Sequence, residues 1–123
     1  MSHPDNVSIQ RKNAILLRKA LKNLRSDGIQ AHCLKVSHNS GNQRFWELVT
    51  EACNVSDLKN LENYLVSPQI NESKSGFTSN AALAWKGDYD KYIETLESFN
   101  LIIRNKGNKK ERIMVELIPN HYS

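Results

Sequence analysis

A chain of 123 residues holds one domain with a single core, and 39% hydrophobic with 24% charged residues describes a protein at home in water. No apolar run approaches the roughly 20 residues of a membrane-spanning helix, so no membrane partner is expected. The formal net charge is +4, and only two cysteines, Cys33 and Cys53, argue against a disulfide-built scaffold.

The opening stretch MSHPDNVSIQRK has no apolar h-region, which predicts no secretory leader and a cytoplasmic location. The first predicted element is a helix over residues 7–26, with Asn6 or Ser8 as N-cap and Gly28 as its stop. Ala14, Leu16, Leu17, Ala20, Leu21 and Leu24 share one face at helical spacing. Arg11, Arg18, Lys22 and Arg25 form a row on the opposite face, flanked by Lys12 and Lys19. Residues 29–36 have the composition of a short strand, and residues 37–43 that of a loop. Helical patterns follow at 43–52 and 55–65, with Asn54 and Ser56 offering caps between them. Residues 67–76 are the clearest loop.

The C-terminal third begins with a capping Thr78 or Ser79 and an alanine-rich run, which predicts a short helix ending near Gly87. Tyr89, Tyr92, Ile93, Leu96 and Phe99 then fall within an arc of about 120°, an amphipathic helix. Beyond it Ile113, Val115 and Leu117 alternate with Arg112, Met114 and Glu116, the period of a half-buried strand. Gly107 marks a turn at 106–108, so residues 101–104 and 111–118 are expected to pair as an antiparallel hairpin. The expected class is α+β: a mainly helical single domain over 1–123, with a basic amphipathic helix at 6–27 and a C-terminal antiparallel β-hairpin. Its expected core contains Leu17, Leu21, Trp46, Leu83, Ile93, Leu96 and Ile113. Trp46 and Trp85 are read as core anchors rather than base-stacking platforms.

Short helix, turn, amphipathic helix and basic hairpin come in the order of winged helix-turn-helix domains, and FTSNAALAWKGDYDKYIETLESFNLIIRNKG resembles that superfamily. In this resemblance Ala82-Leu83-Ala84 stands for the second helix, and Leu96 with ESFNLIIR for the end of the recognition helix running into the wing. It covers residues 77–118 and implies a winged-helix-like fold and DNA binding. Asn100 stands where such domains often carry Gly, and asparagine tolerates the left-handed backbone needed there. With Tyr89, Ile93 and Leu96 turned inward, Asp90, Glu94 and Glu97 make an acidic outward row, which phosphates would repel.

Charge is placed in two blocks. Arg11, Lys12, Arg18, Lys19, Lys22 and Arg25 stand against Asp5 and Asp27, a net +4, and Arg104, Lys106, Lys109, Lys110 and Arg112 against Glu111, again +4. The remainder is acidic, which points to a polyanion partner. The expected function is non-catalytic nucleic-acid binding, DNA ahead of RNA, by a small transcription regulator or an accessory replication or mobile-element protein. Arg104, Lys106, Lys109, Lys110 and Arg112 would make the contacts, supported by Arg11, Arg18, Lys22 and Arg25. The alternative is a protein–protein adaptor or homodimer that uses Asp90, Glu94 and Glu97. No cofactor or metal is expected: the spacing of Cys33, His38 and Cys53 matches no common zinc finger. Catalysis is not expected either, since the histidines are scattered and no nucleophile elbow or Gly-rich loop occurs.

Overall fold

The computed structural model describes residues 6–34, 42–70 and 80–118. Three helices, α1 (Asn6–Ser26), α2 (Asn42–Ala52) and α3 (Tyr89–Ser98), combine with four strands, β1 (Gln30–Cys33), β2 (Tyr64–Ser67), β3 (Asn80–Lys86) and β4 (Ile113–Glu116). The strands form one mixed sheet in the order β1-β2-β3-β4. β1 and β2 run parallel across the α2 crossover, and β2–β3 and β3–β4 are antiparallel. The α+β expectation is met.

Each face of the sheet is covered. Ala14, Leu17, Leu21 and Leu24 of α1 pack with Tyr92, Ile93 and Leu96 of α3 on one face, against Leu65, Leu83, Ile113 and Val115. On the other, Phe45, Leu48 and Val49 of α2 meet Val66, Ala84 and Tyr64. All six aliphatic residues expected in the core are buried, whereas Trp46 is half-exposed. All three helices end alike. Gly28, Asn54 and Asn100 take positive φ (87°, 56° and 64°). In each case the next N–H reaches back six residues inclusive, as in Ile29 to Leu24, Val55 to Thr50 and Leu101 to Leu96. These are Schellman caps, and asparagine serves in two of them.

Two predicted helices are corrected. Residues 55–65 hold only a short 3-10 turn at Leu58–Asn60, capped by Asp57, and the first residues of β2. Asn54, read as opening a helix, instead closes α2. All four residues of β2 are buried because the sheet is covered on both sides, so no alternation marked it as a strand. The helix expected from residue 79 to 86 is β3 over its described part. Alanine favours a helix by propensity, but here tertiary packing decides: Ala81 pairs with Val115, Ala82 with Met114 and Ala84 with Val66. The order leading into α3 is therefore strand-turn-helix, and the helix-turn-helix pair at Ala82-Leu83-Ala84 does not form.

The hairpin is present in reduced form. Ile103 bridges Val115, Arg104 N–H donates to Met114 O (2.9 Å), and Glu116 N–H to Ile102 O (2.9 Å). Four further pairs join β4 to β3, so residues 102–104 close the outer edge of a sheet rather than forming a separate wing. The expected strand at 29–36 is β1; its last two residues, and 71–76 of the expected loop, lie outside the described residues, as does His38.

Candidate nucleic-acid interface

The basic turn after β4's edge segment is held by one amide. Asn105 Nδ2 donates to Arg112 O (2.7 Å), and its Oδ1 accepts from Met114 N–H (2.9 Å), joining the start of the turn to its end. Gly107, at φ 95°, points its N–H at the Tyr89 hydroxyl (2.8 Å). Lys110 N–H donates to Asn108 Oδ1 (3.1 Å). A nine-residue basic stretch thus has fixed backbone, and its cations have set positions.

Those positions differ. Arg104 is directed inward: Nη2 lies 3.1 Å from Glu116 Oε1 and 3.0 Å from Ile118 O, so it ties the edge segment to β4. Lys106 reaches back to Glu97 at 3.1 Å on the surface of α3. Lys109 is exposed with its ammonium 5.6 Å from the Tyr89 ring centre. Lys110 is exposed. Arg112 is half-buried, its guanidinium 4.3 Å from the Phe45 ring centre and 5.4 Å from that of Trp46. Burial lowers the Arg112 pKa, and Tyr64 pulls it partly back up. A guanidinium starts so far above neutrality that the charge persists.

Between this turn and the end of β3 lies a groove of about 330 Å³, lined by Trp46, Ala84, Trp85, Lys86, Gly87, Lys109, Lys110, Glu111 and Arg112. The Trp85 indole N–H donates to Glu111 O (2.9 Å), and its ring lies 5.1 Å from Tyr89. Beneath the groove the Tyr92 hydroxyl donates to Lys86 O (2.7 Å). Burial pushes the Tyr92 pKa up to about 12, aided by Asp88 and Tyr64. Sequence reasoning missed Lys86, because its segment read as a helix end, and placed both tryptophans in the core.

The cations of α1 gather elsewhere. Arg11, Arg18, Lys22 and Arg25 are all exposed, as predicted for one helix face. Arg25 Nη1 donates to Ala31 O (2.6 Å), and Arg18 and Arg25 line a second cavity of about 600 Å³ with Leu21, Cys33, Leu34, Gln69 and Ile70. That cavity adjoins β1, the edge opposite β4, and shares no lining residue with the groove. Arg18 and Arg25 thus stand apart from the groove, whereas Asn13, earlier on α1, donates to Leu117 O just past β4. Burial, then Arg25, lowers the His32 pKa at this end.

Asp90, Glu94 and Glu97 are exposed on α3 as expected, though Lys106 neutralises Glu97. Cys33 and Cys53 are free thiols, and among the described residues no three His, Cys, Asp or Glu side chains gather as a metal site. Among them, too, no helix is long and apolar enough to cross a membrane. Comparison of the sequence with protein-family models, with curated proteins and with solved structures finds no match.

Proposed function

We propose that this protein binds nucleic acid without catalysis, through the groove between the end of β3 and the basic turn. One observation carries the reading: Lys86, Lys109, Lys110 and Arg112 line the groove against a single carboxylate, Glu111. Such a cluster raises the local concentration of a polyanion, and bound phosphates release counterions from the nucleic acid. Asn105 and Tyr89 fix the turn beforehand, which lowers the ordering cost of binding. Lys106 contributes after releasing Glu97, and Arg104 acts through the turn's shape. The α1 row is a separate electrostatic surface. A role as a small DNA-binding regulator, or as an accessory of replication, belongs to the same proposal.

The test is an anisotropy titration of the full chain with a mixed-sequence oligonucleotide at two salt concentrations. Binding should weaken steeply with salt, and exchanging Lys86, Lys109 and Lys110 for Ala should reduce the slope of log K against log[salt] by about 2. Failure of the unaltered protein to bind at low salt would overturn the proposal. Should neutralising Asp90 and Glu94 instead abolish a dimer in sedimentation, the adaptor function would take its place.

A further inference from the structure

The nucleic-acid reading leaves the form of the ligand open, and the groove's shape addresses it. Resting on that reading, we infer that the groove takes an unpaired base, so that the ligand is a single strand rather than a duplex. Trp46 and Trp85 both line it and both are only half-buried. The Arg112 guanidinium lines it too, with its carbon 4.3 Å from the Phe45 ring centre and 5.4 Å from that of Trp46. Indole and guanidinium planes are the two surfaces on which proteins stack splayed-out bases.

The floor is low because Ala84 and Gly87 have little or no side chain. Gly87 sits at φ 116°, and a Cβ there would run into Asn63 Oδ1 and the Tyr92 hydroxyl, so only glycine fits at this position of the lining. Lys86, Lys109 and Lys110 line the same groove as these aromatic side chains, so a phosphate chain passing over it would meet all three cations. A volume of about 330 Å³ suits one nucleotide, since small-ligand sites begin near 300 Å³. Sequence readout of a duplex uses an element that enters its major groove. Of the described helices only α2 lines the groove, through Trp46, and α3, which presents Asp90, Glu94 and Glu97 outward, would be repelled by a duplex backbone.

The experiment compares an oligothymidylate strand with a duplex of the same length, using the unaltered chain and the W46L and W46F variants. The single strand should bind at least tenfold tighter than the duplex and quench tryptophan fluorescence. W46L should lose about five- to a hundredfold in single-strand affinity with its salt slope intact, because stacking is neutral while phosphate contacts set the slope. W46F should recover most of that loss. Duplex binding as tight as single-strand binding, or absence of quenching, would overturn the inference while leaving nucleic-acid binding standing. Loss of both ligands at low salt would remove the underlying reading as well. Both comparisons on the unaltered chain decide the matter even if W46L does not fold.

Discussion

The two basic blocks have the same net charge in sequence, +4 each, yet they differ in almost every physical respect. On α1 the cations form a row along a solvated helix face, mutually repelling at a few tenths of a kcal/mol per pair. In the turn an amide bridge and a tyrosine hydroxyl hold the backbone, and Arg104, Lys106, Lys109 and Arg112 each meet a carboxylate or an aromatic face, while the Lys110 side chain is exposed. Net charge is equal, but neither its density nor the pre-organisation is: the turn packs its +4 into nine residues. A ligand approaching the turn meets aromatic surface and cations together, whereas one approaching α1 meets a row of exposed cations on a helix face, Arg25 among them donating to Ala31 O. That difference, rather than the charge, is what favours the turn in the proposed function.

The comparison breaks most readily at Asn105. Asn105→Ala removes two partly buried hydrogen bonds across the turn and should cost about 2–3 kcal/mol in urea unfolding. A loss below about 0.5 kcal/mol would mean that the turn is no more fixed than the α1 row.

Alkaline and acid titrations sharpen it next. Tyr92, under the groove, has its folded pKa raised to about 12, against about 10 unfolded. The folded state therefore holds its proton more tightly, and stability should be full below pH 10 and decline by about 2 kcal/mol as pH rises through 12. Tyr92→Phe should remove that decline. At the other end, burial and Arg25 lower the pKa of His32, so its contribution is present above pH 6.5 and lost as pH falls. His32→Gln should flatten the acid limb alone. Thermal melts from pH 5 to 11 check both signs.

Smaller effects discriminate further. Arg112→Lys keeps the charge but loses the flat contact with Phe45 and Trp46, and should cost about 1 kcal/mol of stability. Lys19→Ala or Lys22→Ala on α1 should stay within about 0.5 kcal/mol and leave the oligonucleotide salt slope unchanged. A slope reduced by either would make α1 part of the interface.

Much of this molecule follows from local sequence. The apolar stripe of α1 with its stop at Gly28, the inward face of α3, the left-handed Asn100 and the alternation of Ile113 and Val115 are short-range signals, and each is present. The turn's basic content was equally plain. Where reading failed, long-range partners decided. Tyr64–Ser67 shows no alternation because helices cover both faces, and the alanines of Asn80–Lys86 become a strand because β2 and β4 flank them. The groove was not legible at all. Trp46 comes from α2, Trp85 and Lys86 from β3, and Arg112 from the turn, positions up to 66 residues apart that only the sheet's closure places together. By itself the sequence determined which segments could be amphipathic and where helices must stop, because those depend on neighbours within a turn or two. Tertiary structure alone decided which apolar segments became strands, and which cations stand beside aromatic rings, because both depend on surfaces contributed from far along the chain.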